Sequence, residues 1–273
     1  MSNPLGVVLQ KPPPTSSVEY SLLNLEPFQK GFTLLELLVT LAIIGILAAA
    51  LTPAINTGVA LARSTACKSN LRQMAIAAHA YASANDDELP PAFIRGFTGG
   101  QESTVSWEDI LWEYDTRSGR GTDERIQQCP AFRGKANWST AGKEDRYTGY
   151  NYNSSYLGGT RYIVNGVARP GSGGSALIGD IKDPSRCAMF GDGQYESGAN
   201  KFMRSPFPGP LDSDAGLALA GTQGFRHRGS TNVAFADASV RSLKERFTRH
   251  GGRGAAFKNC GFLSEDNAMY DLE

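Results

Sequence analysis

The feature that most constrains this chain is an apolar run of twenty residues, 32–51, whose only charged residue is Glu36. At a rise of about 1.5 Å per residue, a helix of this length spans about 30 Å, the thickness of the hydrocarbon core of a bilayer. A soluble surface helix is apolar on one face only, whereas this run is apolar on every face. It therefore predicts a transmembrane helix over residues 32–52 rather than a buried core helix.

The residues that flank the run do not form a secretory signal peptide. Lys30 and Gly31 precede it, and Pro53 follows it without the small-residue cleavage site that a signal peptide has. A carboxylate costs about 2.5–3.5 kcal/mol at the centre of a membrane helix and less near its end. An intramembrane Glu36 therefore indicates a functional role.

The sequence Lys-Gly-Phe-Thr-Leu-Leu-Glu at residues 30–36 resembles the processing site of type IV pilins and type II secretion pseudopilins. The resemblance implies that prepilin peptidase cuts between Gly31 and Phe32 and methylates the new terminal amine. Residues 1–31 are then the leader. Glu36 takes the position of the carboxylate that compensates the terminal ammonium of the same or a neighbouring subunit, and Pro53 the position where many of these helices kink.

The same resemblance implies where the protein acts and with what. The expected partners are prepilin peptidase, pilin-like subunits of the same or a related kind, and an inner-membrane assembly platform. The chain is expected to cross the inner membrane once, with its N-terminus cytoplasmic and its C-terminal domain periplasmic, or extracellular in a filament. The 27 basic and 27 acidic side chains balance, which argues against nucleic acid as a partner.

A helical pattern continues beyond Pro53. Apolar residues recur every three or four positions, and the pattern ends at residues 85–87. We therefore predict an amphipathic continuation over 53–87 and a globular domain over 88–273. Of the 31 glycines, 27 follow residue 95, which favours a turn-rich domain because glycine permits turns and weakens helices.

Short strand-like segments in this domain predict an α+β fold, with the long helix packed on a small, mainly antiparallel β-sheet. A short helix is predicted at 107–112, and a tight turn at Asp237-Ala238 joins the last two strands. The predicted strands are 162–164, 188–190, 232–236 and 239–243.

A second resemblance concerns the segments 67–73, 129–130, 149–151 and 225–237. They are similar to motifs of pilin-like proteins from planctomycete and verrucomicrobial relatives, a group named for a histidine, nine residues and Asp-Gly. His227 and Asp237 have this spacing, and Ala238 replaces the glycine. We expect His227 to hydrogen-bond across the hairpin and Asp237 to cap its turn.

All four cysteines follow the apolar run: Cys67, Cys129, Cys187 and Cys260. An even number in an oxidising compartment suggests two disulfides, with three possible pairings. Their spacings suit neither a zinc site nor a redox Cys-x-x-Cys motif. Residues flanking Cys67 and Cys129 recur together in the resembled group, which implies that pair and leaves Cys187 with Cys260.

No cofactor is expected. Asp212 and Asp214 lie in a loop that matches a calcium-binding loop only in part, because the third acid and the distal glutamate are missing. Solvated turn acids are the favoured interpretation, and calcium binding is the alternative. His79 is expected to be a surface or packing residue.

Three classes of function follow. An enzyme is disfavoured, because no nucleophile elbow, His-Glu-x-x-His or phosphate-binding loop occurs. The favoured class is a structural pilin-like or pseudopilin-like filament subunit. The alternative is a membrane-anchored binding module, for example for carbohydrate, that does not polymerise. Its evidence would be exposed aromatic residues, for which Trp107, Trp112, Trp138 and Tyr150 are the candidates.

Overall fold

The computed structural model describes residues 31–112, 128–134, 149–168, 174–195, 198–212, 222–248 and 257–273. Within these ranges it has two α-helices and eleven strands, so the α+β prediction is confirmed. The helices are α1 (Leu34–Ser83) and α2 (Trp107–Trp112). The strands are β1 Phe93–Thr98, β2 Gln101–Ser106, β3 Asn151–Asn153, β4 Thr160–Val164, β5 Val167–Ala168, β6 Ala188–Gly191, β7 Phe202–Met203, β8 Gln223–Gly224, β9 Thr231–Phe235, β10 Val240–Leu243 and β11 Cys260–Gly261.

Several sequence predictions fall outside the described residues. They are the leader up to residue 30, Trp138, Asp214 and the side chain of Trp112. The chain divides into two compact units, Met1–Ala50 and Leu51–Glu273, and α1 contributes to both.

The described part of the first unit is the apolar start of α1. Every residue from 31 to 50 is exposed, and the large apolar side chains include Leu34 at 81% and Phe32 at 75% exposure. By length and composition, α1 can cross a membrane once. Pro53 lies inside the helix, which continues past it to Ser83.

In the second unit, α1 ends at Ser83, a few residues before the predicted end. The backbone N–H groups of Asn85 and Asp87 both donate to the carbonyl of Ala82, at 2.9 and 3.0 Å. Asp86 and Asp87 then take left-handed φ angles of 52° and 60°. Such angles cannot continue a right-handed helix, so the helical turn stops here.

The described strands of the second unit form three sheets. A five-stranded sheet has the order β10-β9-β6-β3-β7, a four-stranded sheet the order β2-β1-β4-β5, and β11 pairs with β8. Only the pairs β1–β4 and β3–β7 are parallel among the described strands. The sheet structure is therefore mainly antiparallel, as predicted, although it is divided among several sheets rather than concentrated in one.

The hairpin of β9 and β10 turns at Asp237-Ala238, as predicted. The Asp237 carboxylate accepts a 2.8 Å hydrogen bond from the Ser239 backbone N–H, so Asp237 caps this turn. Ala238 takes a φ of 61°, so the turn keeps the left-handed conformation although alanine replaces the glycine of the resembled group.

The larger cluster of buried apolar residues lies between α1 and the five-stranded sheet, and a smaller one, which includes Val233, Phe235 and Tyr270, contains no residue of α1. The buried face of α1 includes four alanines, whose small side chains let the sheet approach the helix. Trp107, Tyr152 and Phe190 form an aromatic cluster there, with ring centroids 4.9 to 5.9 Å apart. His79 on α1 has its Nε2 2.7 Å from the carbonyl of Ala236, which is a packing role.

Two of the aromatic residues that would support a binding module are buried in the core. Trp107 is 0% exposed and Tyr150 is 2% exposed. The Trp107 indole N–H donates to the carbonyl of Lys201 at 2.9 Å. These two aromatic residues therefore stabilise the core and do not form a binding surface.

Candidate functional site

The first candidate site is the start of α1. Gly31 and Phe32 are exposed and precede the helix. Thr33 and Glu36 form a capping box: Glu36 Oε2 accepts from Thr33 N at 2.9 Å and from Thr33 Oγ1 at 2.8 Å, and the Glu36 N–H donates to Thr33 Oγ1 at 3.2 Å. Thr33 was not identified from the sequence as a capping residue, although a threonine three residues before a glutamate is the usual capping-box signal.

The second candidate site is a buried cluster of four residues from distant parts of the chain. It consists of Cys67, Cys129, Asp192 and His227, and we call it the dithiol cluster. Their thiol, carboxylate and imidazole atoms all lie within 4.8 Å of one another, and all four residues are buried. Three of them were singled out from the sequence, Cys67 and Cys129 as a disulfide pair and His227 as a residue of the hairpin.

Cys67 comes from α1 and Cys129 from the loop that faces it. Asn70, one helical turn after Cys67, holds this loop: its Nδ2 donates to the Gln128 carbonyl at 3.4 Å and to the Tyr150 hydroxyl at 3.3 Å. Leu71 is fully buried in the core. The segment 67–73, which carries the second resemblance, therefore anchors the loop of Cys129 to the helix.

Asp192 directly follows β6, at the point where this strand reaches the start of β9. Its Oδ2 accepts a 2.7 Å hydrogen bond from the Asn232 backbone N–H. The Asp192 carbonyl accepts another from the Gly224 N–H at 2.6 Å. Backbone hydrogen bonds to two strands therefore hold Asp192 in place, independently of its contacts with the other cluster residues.

A tight turn presents His227. His227 and Ser230 exchange backbone hydrogen bonds of 3.0 and 3.1 Å. Arg228 and Gly229 between them have φ angles of 56° and 80°, as the two central residues of a type I′ turn do. The turn lies just before β9 and directs the imidazole toward Asp192.

The four side chains contact one another closely. The Cys67 thiol donates to Asp192 Oδ1 at 3.1 Å. His227 Nε2 lies 3.3 Å from Asp192 Oδ2 and 3.6 Å from Cys129 Sγ. The imidazole is therefore held through Nε2, between a carboxylate and a sulfur.

Arg226 completes the surroundings of the cluster. Its guanidinium lies 3.4 Å from Asp192 Oδ1, donates to the carbonyls of Gly149 and Gly193, and lies over the Phe132 ring at 5.1 Å. The buried carboxylate thus has a buried cation beside it. Neither Arg226 nor Asp192 was identified from the sequence.

The charges of the cluster are strongly coupled. The hydrogen bond with Cys67, together with His227 and Arg226, lowers the pKa of Cys129 to about 5, although burial opposes this. Burial raises the pKa of Cys67 well above its ordinary value. Burial alone would lower the pKa of His227, but Asp192 and Cys129 raise it to about 9. Of the two thiols, Cys129 therefore ionises first, as the partner of an imidazolium.

These contacts correct two sequence predictions. All four cysteines are free thiols, so neither predicted disulfide is present. Cys67 and Cys129 do come together, as the resemblance implied, but as members of a polar cluster. Cys187 lies beside β6, where its thiol donates to the Tyr270 carbonyl at 3.6 Å, whereas Cys260 begins β11 in another sheet.

The second correction concerns His227. Its imidazole faces Asp192 after β6 and does not bond across the β9–β10 hairpin. The described acid beside it is thus Asp192, whereas Asp237 bonds to Ser239 at the hairpin turn. The two residues that define the resembled group therefore have separate local roles.

The structure also revises the expectation for Asp212 in the loop that partly matches a calcium-binding loop. Asp212 is almost fully buried and forms an ion pair with Arg204 at 3.1 Å. It also accepts hydrogen bonds from the Ser155 hydroxyl and, at 2.8 Å, from the Gly209 N–H. Asp212 is therefore a structural acid rather than a solvated one, and Asp214 lies outside the described residues.

Gly149 is required where the chain passes the cluster. Its φ is 98°, and a Cβ there would lie 2.8 Å from the Cβ of Cys129 and 3.0 Å from that of Phe132. Gly149→Ala is expected to lower the free energy of unfolding by about 2–4 kcal/mol, combining backbone strain with overpacking. Urea unfolding followed by tryptophan fluorescence measures this loss.

The matched control is Gly166→Ala. Gly166 also has a positive φ of 81°, but no atom of the residues that the structure describes lies within 4 Å of its Cβ position. This variant should lose only the strain component, about 1–2 kcal/mol. Equal losses in the two variants would show that the contact with Cys129 is unimportant.

Two family models match the chain. Residues 27–52 match the model described as "Prokaryotic N-terminal methylation motif", and residues 60–113 match the one described as "Protein of unknown function (DUF1559)". Comparison with curated proteins and with solved structures gives no match. The two matches confirm the resemblances drawn from the sequence: the chain has a prepilin-type motif and is similar to pilin-like proteins of the planctomycete-type group.

The matches and the geometry agree on the broad class of protein. The N-terminal motif indicates a structural, pilin-like substrate of prepilin peptidase. Cys129, His227 and Asp192 have the chemical types of a nucleophilic triad, but a nucleophile must be reachable by its substrate. All three side chains are buried, so the cluster suits a structural role.

Proposed function

We propose that this chain is a subunit of a type IV pilus or type II secretion pseudopilus-type filament. In this proposal prepilin peptidase cuts between Gly31 and Phe32, and the mature subunits pack through the apolar part of α1 in the filament. The globular domain then lies on the periplasmic or outer side. The observation that carries the proposal is the match of residues 27–52 to the N-terminal methylation motif.

The exposure of α1 supports this proposal. Its first half presents large apolar side chains on all sides, with Leu34, Leu41 and Ile46 each more than 60% exposed. Surfaces of this kind need lipid or other helices to cover them. A membrane before assembly and a helical bundle of like subunits after assembly both meet this need.

Glu36 supports it further. In the uncut chain its carboxylate caps α1 through Thr33. Cutting after Gly31 creates an ammonium at Phe32, one helical turn from this carboxylate. In a low-dielectric bundle an unpaired charge is very costly, so an ammonium–carboxylate pair favours one register of neighbouring helices.

The first test is the identity of the mature N-terminus. The cellular protein is expected to begin at Phe32 with a methylated amine, as measured by intact mass and N-terminal sequencing. Gly31→Val should leave the precursor uncut, because its side chain blocks the close approach of the peptidase. Among the described residues, nothing lies within 4 Å of the Gly31 Cβ position, so this variant should still fold.

The same preparation tests assembly. Filaments sheared from the cell surface or seen by electron microscopy should contain the cut chain and should be missing in Gly31→Val cells. A mature chain that begins at Met1, or beyond Leu51, would contradict the pilin-like processing. Correct cutting with the protein only in membranes would instead favour the non-polymerising binding module.

A further inference from the structure

We propose that Cys67, Cys129, Asp192 and His227 bind a divalent metal ion of the zinc type at a structural site. Zinc in such sites is held by four ligands in a tetrahedron, and thiolate, imidazole and carboxylate are its usual donors. The dithiol cluster supplies these donors and no others. Its four donor groups already lie within 4.8 Å of one another.

The spacing of the atoms fits a tetrahedral ion. With metal–ligand bonds of about 2.0–2.3 Å, neighbouring ligand atoms are about 3.3–3.8 Å apart. Here the distance is 3.6 Å from Cys129 Sγ to His227 Nε2 and 3.3 Å from His227 Nε2 to Asp192 Oδ2. Cys67 Sγ is 3.1 Å from Asp192 Oδ1. The remaining ligand atoms lie within 4.8 Å of one another, so shifts of up to about 1 Å would bring all four to tetrahedral spacing.

The charges also fit. Two thiolates and the Asp192 carboxylate bring three negative charges into a buried space, which is costly unless they are compensated. A divalent ion and the guanidinium of Arg226, 3.4 Å from Asp192, bring three positive charges. The metal-bound cluster is therefore neutral with His227 in its neutral form, which is the form that ligates metals.

The burial of the cluster assigns the ion a structural role. A catalytic zinc keeps one position open for water or substrate, whereas a structural zinc has four protein ligands. All four ligands here are buried, and they come from α1, the Cys129 loop, the end of β6 and the turn before β9. The ion would thus fix α1 to three loops of the globular domain, independently of filament assembly.

The test uses the full-length protein, purified in detergent from membranes. One sample is alkylated at lysis to record the state of the thiols, and a second, untreated sample is used for metal binding. About one zinc per chain is expected by mass spectrometry of the metals. After chelation, titration with Co²⁺ should give the visible absorption of a tetrahedral ion and a thiolate-to-cobalt charge-transfer band in the near ultraviolet.

Variants identify the ligands. Cys67→Ser and His227→Gln should each weaken Co²⁺ binding by about 10–100-fold or more. Loss of a residue that only hydrogen-bonds to a metal ligand already has an effect of this size. The matched control is Cys187→Ser. It alters a buried cysteine outside the cluster, which bonds to Tyr270, and should leave the spectrum unchanged.

Three results would overturn the metal site. The first is a Cys67–Cys129 disulfide in the alkylated sample, because the same sulfurs cannot serve both bonds. The second is free thiols in the wild-type chain that give no charge-transfer band with Co²⁺, a result that does not depend on any variant folding. The third is an equal loss of binding in Cys187→Ser and Cys67→Ser.

Discussion

Replacing Glu36 with glutamine is expected to leave processing intact and to abolish filament assembly. Glutamine can still cap the helix start, because a capping box accepts Glu or Gln at this position. It cannot compensate the ammonium at Phe32. Removing one partner of a buried ion pair costs about 3–5 kcal/mol, and each 1.4 kcal/mol is a factor of about ten. We therefore expect at least about 100-fold fewer subunits in the sheared filament fraction, measured against the membrane fraction by immunoblot.

The matched control for Glu36→Gln is Thr33→Val. Thr33 Oγ1 bonds to both the carboxylate and the N–H of Glu36, so this variant weakens the cap and keeps the charge. It should assemble nearly as well as the wild type. The role of charge is contradicted if Glu36→Gln assembles normally. Failure of both variants would indicate that the helix cap matters for assembly, and mass measurement of each chain excludes a processing defect.

The long helix and the last hairpin could be predicted because their signals are local. The apolar run and the three-to-four spacing that follows need only neighbouring residues to be recognised. The same holds for the Asp237-Ala238 turn between two apolar segments. The hairpin of β1 and β2 was missed although its signal is local too, since Gly99 and Gly100 form a two-residue turn with φ angles of 59° and 82°.

The dithiol cluster could not be predicted in the same way. Its members are tens of residues apart, and they meet only after α1, β6 and β9 have packed. No short motif links Cys67 with Asp192, and Asp192 itself stands in a glycine-flanked sequence that reads as a turn. The second resemblance correctly brought Cys67 and Cys129 together. The prediction that His227 bonds across the hairpin was wrong, because sequence spacing does not report which strand ends lie side by side.

Asp192 is a buried charged residue that connects several parts of the folded domain. It is 0% exposed and its two oxygens contact Cys67, Arg226, His227 and the backbone of Asn232. Burial alone would raise the pKa of this carboxyl, but Arg226 and His227 keep it below the ordinary value. The carboxylate is therefore charged in the folded protein and compensates a buried guanidinium.

Asp192→Ala is expected to lower the free energy of unfolding by about 3–5 kcal/mol, because it leaves Arg226 as an uncompensated buried charge. Urea unfolding of the full-length protein in detergent, with a chelator present so that no metal contributes, measures this loss. Asp237→Ala is the control: this exposed acid accepts one hydrogen bond from Ser239 and its loss should cost about 1 kcal/mol or less.

The double variant of Asp192→Ala with Arg226→Met separates the effect of charge from that of packing. It should lose less than the two single variants together, since it leaves neither charge without a partner. Strict additivity, or an Asp192→Ala loss no larger than that of Asp237→Ala, would contradict the role assigned to this carboxylate.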